Sequence, residues 1–251
     1  MKNLLIFAVI GLISLSSFSG ASAQDAFVQI IHNSPDPAAS TVDIYINSGA
    51  EPAVPDLAFR AATGVVALPA GVDLEVGIAP GNSSGPQDIL ATWTYNLPAG
   101  SMTVIMANGL LGEDFDLFTN ALETTAPDGM VGVLAFHGSQ DAPPVDVAAL
   151  GVGILFENLS YQTFQGYLQV PATNYVLTVA PAGGEPIAAF VAPLEIIPGN
   201  SIVVFASGFL TQEPGFNLFA ALSDGTVLAL APDDTVQSEE TTLDGVKALY
   251  R

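Results

Sequence analysis

The sequence predicts an all-β protein built from two tandem β-sandwich domains of immunoglobulin-like or transthyretin-like type. Three observations lead there: a residue block that returns about a hundred positions later, short runs of β-branched and aromatic residues, and Pro-Gly, Ala-Gly and Asn-Gly punctuation between them. The block reads His32-Asn33-Ser34-Pro35-Asp36 followed by Val42-Asp43-Ile44-Tyr45, and returns as His137-Gly138-Ser139-Gln140-Asp141 followed by Val145-Asp146-Val147. The chain has 251 residues and only these two histidines, which stand at matching points of the repeat.

The chain opens with Met1-Lys2-Asn3, an apolar run from Leu4 to about Leu15, and the small-residue stretch Ala21-Ser22-Ala23. A charged start, an apolar core and a small-x-small site together make a secretory signal peptide over 1–23, with cleavage expected before Gln24. The run is short for a bilayer span, which needs roughly 20 apolar residues. The first sandwich is then expected over 24–127, with about seven strands starting near Phe27, Thr41, Leu57, Val72, Ile89, Ser101 and Asp116. The stretches Ser101 to Asn108 and Ser201 to Ser207 are continuously apolar, as central strands are. Ala126-Pro127-Asp128-Gly129 forms a brief turn-like boundary, which suggests domains packed end to end with little freedom.

The second copy, 128–232, follows the first turn by turn. Leu97-Pro98-Ala99-Gly100-Ser101 matches Ile197-Pro198-Gly199-Asn200-Ser201, and Phe115-Asp116-Leu117-Phe118 matches Phe216-Asn217-Leu218-Phe219. The offset drifts between 105 and 99, as small length changes in loops produce. Repeats of this length mean whole domains, not a solenoid. Residues 233–251 form an acidic tail with little to bury, ending in a weakly helical stretch from Leu243 to Arg251.

Composition narrows the function classes. With no cysteine there are no disulfides, thiol nucleophiles or cysteine-ligated zinc, so each domain must rest on its own apolar core. After signal removal Arg60, Lys247 and Arg251 stand against 25 acidic residues. Such a field repels phosphate backbones, which excludes nucleic acid as a partner, and disfavours anionic lipid. A saline habitat and an ordinary acidic exported protein fit this charge equally well.

His-x-Ser-Pro-Asp, then Val-Asp-Ile-Tyr, then a Tyr-Leu-x-Val-Pro-Ala segment resemble the bacterial family known as domain of unknown function 4397. The first copy carries His32, Ser34, Pro35, Asp36, Val42, Asp43 and Tyr45. The second carries His137, Ser139, Asp141, Pro143, Val145, Asp146 and Tyr167-Leu168-Gln169-Val170-Pro171-Ala172. The resemblance covers about 26 to 232, with Gln140 in place of Pro35 and Ala148 in place of Tyr45. It implies exported, tandem, envelope-associated domains and brings no established activity.

The repeated polar block supports two readings. As a site, His32, Asp36 and Asp43, with His137, Asp141 and Asp146 in the second copy, offer imidazole and carboxylates to a divalent ion. One histidine per domain is thin for zinc. As structure, the short polar side chains bond to the backbone of a turn, and this reading is favoured. No Gly-x-Ser-x-Gly, His-Glu-x-x-His or Gly-x-x-x-x-Gly-Lys motif occurs. Carboxylate pairs such as Asp73/Glu75 and Asp114/Asp116 read as surface charge before they read as a glycosidase pair. Calcium is the metal best suited to Glu113-Asp114-Phe115-Asp116 or Asp233-Asp234, though neither run matches a calcium loop, and no cofactor is expected. Trp93, Tyr95 and Tyr161 could make a platform for sugar rings, but isolated strand aromatics more often serve the core.

The sequence therefore points to an exported, non-catalytic binding, adhesion or structural module of the cell envelope or medium, with an envelope protein or glycan as partner. The alternatives are a hydrolase or other enzyme using the His/Asp block, and a structural protein that binds a divalent metal.

Overall fold

The computed structural model describes residues 25–234. The expected signal peptide and nearly all of the acidic tail, including its helical end, lie outside the described residues. The first copy contributes β1 (Asp25–His32), β2 (Thr41–Ile46), β3 (Val54–Ala58), β4 (Ala61–Ala62), β5 (Val66–Pro69), β6 (Asp73–Pro80), β7 (Ala91–Asn96), β8 (Met102–Asn108) and β9 (Asp116–Ala121). The second contributes β10 (Met130–His137), β11 (Val145–Ala149), β12 (Gly153–Leu159), β13 (Phe164–Pro171), β14 (Asn174–Pro181), β15 (Ala188–Pro193), β16 (Ser201–Ser207), β17 (Asn217–Leu222), β18 (Val227–Ala229) and β19 (Ala231–Pro232). The fold is all-β, and its helical content among the described residues is three one-turn 3-10 helices. No helix there is long and apolar enough to cross a membrane.

Each copy makes two sheets. In the first, β3-β2-β6-β7 forms the outer sheet, and β4-β1-β8-β9, with β5 also on β1, forms the inner one. In the second, the outer sheet is β12-β11-β14-β15-β19 and the inner one β13-β10-β16-β17-β18. The inner sheets share an unusual pairing: β1 runs parallel to β8, and β10 parallel to β16, within otherwise antiparallel surroundings. The segment between β3 and β6 pairs with β1 as two short pieces, β4 and β5, where the second copy has the single strand β13. Ala61-Ala62 carries no β-branched or aromatic residue, so propensity gave no sign of β4.

Strand periodicity then decides where the side chains go, because alternate residues face opposite sides of a sheet. On β1, Val28 and Ile30 enter the first sandwich core with Ile44, Leu74, Val76 and Ile105. On β10 and β16, Val131, Val133, Ile202 and Val204 enter the second core with Phe156, Leu177, Val179 and Phe190. The intervening residues are mostly apolar as well and form a third cluster. Ile31, Val104, Met106 and Leu122 of the first copy meet Leu134, Phe136, Val203, Phe205, Phe219 and Ala221 of the second.

The two sandwiches are therefore joined face to face, inner sheet on inner sheet, rather than end to end as the short linker suggested. Four sheets stack as layers, and both inner sheets are buried on both sides. The continuously apolar stretches of β8 and β16 have this cause: one face fills a sandwich core and the other fills the seam. The linker assists, since Thr125 bridges Asn200 and Ala126 N–H donates to Gly199 O at 2.8 Å.

Phe136 sits at the centre of the seam, 1% exposed, with ring centroids 4.6 Å from Phe164 and 5.9 Å from Phe118. Phe136→Ala should cost about 3–5 kcal/mol, the usual range for truncating a buried aromatic. Calorimetry should show a lower melting temperature and a transition that broadens or splits, because the seam and not either sandwich core is damaged.

Candidate functional site

Both copies of the polar block lie where β1 and β10 end, at the edge of the seam. His32 and His137 are the last residues of those strands, and both rings are buried. His32 Nε2 lies 2.6 Å from Ala39 O, and His137 Nε2 lies 3.0 Å from Pro143 O. The carbonyl must accept, so Nε2 carries the proton in each ring. Ser139 N–H donates to His137 Nδ1 at 3.3 Å, whereas His32 Nδ1 has no partner. Each imidazole also meets an aromatic edge, Phe59 at 6.3 Å and Tyr161 at 6.1 Å. Burial pushes both histidines below their ordinary pKa, against a smaller opposing effect of the carbonyl hydrogen bonds.

The acids of the block are engaged by backbone N–H groups. Asp36 accepts from Ala38 N at 2.8 Å, capping the one-turn helix Pro37–Ala39, and from Leu111 N at 2.8 Å. Asp141 accepts from Leu210 N at 2.7 Å and from both the backbone N–H and the hydroxyl of Thr211. Each thus ties the block to the loop that joins two inner-sheet strands of its own domain, β8 to β9 in the first copy and β16 to β17 in the second. Ser34 Oγ donates to Gly109 O of that same loop at 2.6 Å.

Asp43 and Asp146 do a second job. They accept from Asp56 N at 2.8 Å and Asn158 N at 2.7 Å, where β3 and β12 slip register against β2 and β11. Asp56 and Asn158 both sit at positive φ, 52° and 51°, so the carboxylate holds a bulge of matching shape in each copy. The other oxygen of Asp43 accepts from Ser83 Oγ, and that of Asp146 from Gly183 N. Backbone donors hold the Asp146 carboxyl below its usual range. Tyr45 Oη lies 2.7 Å from Ser83 Oγ and is buried under the 81–90 loop. The corresponding 182–187 connection is shorter, which accounts for Ala148 in place of the tyrosine.

Sequence reasoning missed the residues that join the two blocks. Asn33 Nδ2 donates across the seam to Ala206 O at 3.0 Å and lies 2.9 Å from the side-chain amide of Asn108. The Asn108 amide lies 3.2 Å from Tyr161 Oη, and Tyr161 donates to Asp114 Oδ2 at 2.8 Å. Burial and Asp114 push the Tyr161 hydroxyl well above its ordinary pKa, so it remains a donor. The reciprocal contact comes from Arg60, which donates from Nε to Ser207 Oγ at 2.9 Å and from Nη2 to Gly215 O at 2.7 Å. Its guanidinium lies 4.7 Å and 4.6 Å from the Phe59 and Phe219 ring centroids. Arg60 and Gln162 are equivalent: each backbone N–H donates to the histidine carbonyl of its own copy, and each has positive φ, 66° and 60°.

At the approximate twofold axis between the copies, two equivalent positions meet, and only one can carry a side chain. A Cβ on Gly138 would run into Asn33 Nδ2 and would stand 2.7 Å from Asn108 Oδ1 and 2.6 Å from Ala206 O. Hence Asn follows the first histidine and Gly the second. That difference inside an otherwise repeated block was the available sequence signal.

The remaining candidates are dispersed. Asp73 accepts from Asn96 and Glu75 from Ser48, both at the surface. Asp114 belongs to the seam network, and Asp116 accepts from Trp93 Nε1 at 2.6 Å. Trp93 and Tyr95 pack against the first core while Tyr161 stands in the seam, so the three share no platform. Among the described residues no group of three or more His, Asp or Glu is arranged to hold a metal ion.

Two expectations follow. A histidine held neutral in the fold but free to protonate when unfolded stabilises the protein above pH 6.5 and loses that contribution as pH falls below it. Stability, and with it the melting temperature, should therefore drop between pH 7 and pH 5, by at most about 1.4 kcal/mol per pH unit per histidine; His32→Gln/His137→Gln should flatten the profile in that window. Gly138→Ala should cost about 1–3 kcal/mol through overpacking. In the Asn33→Gly background the share of that cost due to the Asn33 side chain should disappear while the contact with Ala206 O remains, giving a coupling of about 1 kcal/mol in denaturant titrations.

No curated protein matches the chain. A solved structure described as "Alpha-glucan binding by a streptococcal virulence factor" is similar over 71% of this chain and 92% of that chain, at 12% identity and a TM-score of 0.24. The family model described as Domain of unknown function (DUF4397) matches residues 26–148 and again 131–224. The second match begins within β10, the strand that ends at the second polar block. The two matches agree with two tandem copies of the domain, and the chain belongs to the DUF4397 family.

Proposed function

We propose that the protein is an exported, non-catalytic module of the cell envelope or the surrounding medium, which binds an envelope protein or glycan or serves as a structural spacer. One observation carries this reading. The groups best suited to chemistry, His32, His137 and the four repeated aspartates, are engaged with backbone atoms of their own domains. A general base must reach substrate with an available lone pair. Here one imidazole is buried with its Nε2 proton on a carbonyl, and the other also receives a backbone N–H. Export is supported by the charged start, the apolar run and the Ala21-Ser22-Ala23 site.

The test uses protein recovered from the envelope or medium of the producing cells, where Edman sequencing should begin at Gln24. That protein is screened for binding to envelope glycans and envelope proteins and, in parallel, for hydrolase turnover. The expected result is a retained partner, no turnover, and unchanged binding by His32→Ala/His137→Ala at temperatures where the variant stays folded. Turnover that vanishes in the folded variant would establish the enzyme instead.

A further inference from the structure

The second sandwich contains a feature that none of the seam contacts explains. Between its two sheets lies a cavity of about 50 Å³, several times the roughly 10–15 Å³ that a single water needs when volume is measured in the same way. Its walls include Val133, Leu155, Leu177, Leu194, Ala192 and Ala220. Two side chains with polar atoms also line it, His137 and Tyr175, and both direct those atoms elsewhere. The His137 nitrogens are taken by Pro143 O and Ser139 N, and Tyr175 Oη donates to Pro171 O at 3.1 Å. A water inside would find no partners, and apolar cavities of this kind stay dry or take apolar guests.

One end of the sandwich is apolar on its outside as well. Leu150, Val152 and Ile154, at the β11–β12 turn, are 61%, 65% and 58% exposed, and Ile196, just after Leu194, is 64% exposed. Strand register brings these groups to the same end as the cavity residues Tyr175 and Leu194. Leu150 N–H donates to Val176 O, and Tyr175 pairs with Ala192 at the end of β15. An exposed aliphatic collar beside a dry interior is the arrangement expected of an entry for a hydrocarbon chain.

Charge narrows the guest. The surface is strongly acidic, and the single Lys or Arg among the described residues, Arg60, is in the seam. A carboxylate head group would meet repulsion and, among the described residues, no counter-ion. We propose that the second sandwich binds the end of an uncharged aliphatic chain, inserted between its sheets from the β11–β12 end. This site is distinct from any surface recognition, and it stands whether the module binds a glycan, binds a protein or serves as a spacer.

The experiment is a methyl-NMR titration of the mature protein with xenon, 1-hexanol and hexanoate. Hexanol should give saturable shifts at Val133, Leu155, Leu177 and Leu194, and hexanoate should bind at least ten-fold more weakly. Xenon should shift the same methyls. Ala192→Leu fills the space and should abolish the hexanol response with the melting temperature maintained. Ala220→Val serves the same purpose if that variant does not fold. A xenon response without a hexanol response reduces the feature to a packing void and overturns the proposal. So do hexanol shifts that persist unchanged in a folded filled variant, or hexanoate binding as tight as hexanol.

Discussion

The rest of the structure depends on the burial of both faces of the two inner sheets. A sandwich needs only one apolar face per sheet, and an exposed second face made of Ile31, Val104, Met106, Leu134, Phe136, Val203 and Phe205 would associate with whatever it met. Stacking one copy on the other removes that surface from water within a single chain. The tandem repeat is in this sense obligatory: each sandwich supplies the cover for its neighbour's inner sheet. Without disulfides, this third core is also what compensates for the limited burial available to a domain of about a hundred residues.

The polar block serves the same end. A strand that finishes at a seam must turn without leaving unpaired backbone groups, and each copy manages this with one set of side chains. The histidine bonds to the carbonyl that follows the turn, the first aspartate holds the loop from across the inner sheet, and the second aspartate holds a bulge on the outer sheet. What survives in both copies is the set that bonds to backbone, which depends little on the side chains around it. Pro35 and Tyr45, which act on local loops of differing length, do not recur. Asn33 and Gly138 differ for the opposite reason, since they meet each other.

Much of this was legible in the sequence. The tandem copies, the strand starts near Thr41, Val72, Ser101 and Asp116, and the block's place at the start of each domain all followed from alternation and repeated turns. The seam was written there too, in the unbroken apolar runs of β8 and β16, but such a run reports that both faces of a strand are covered and not by what. The short linker was compatible with more than one arrangement. The roles of Arg60, Asn108 and Tyr161 could not have been assigned, because they come from residues of the other copy. Tyr161 reads as a lone aromatic until Asp114 and Asn108 are brought beside it.

Native-state hydrogen exchange tests the central claim most directly, that one seam makes the two sandwiches a single cooperative body. If it does, the slowest amides of β1 and β8 and those of β10 and β16 open with one shared free energy, equal to that of global unfolding. Two distinct sets, with the first-copy strands differing from the second-copy strands by more than about 2 kcal/mol, would contradict it and return the chain to two sandwiches that merely touch.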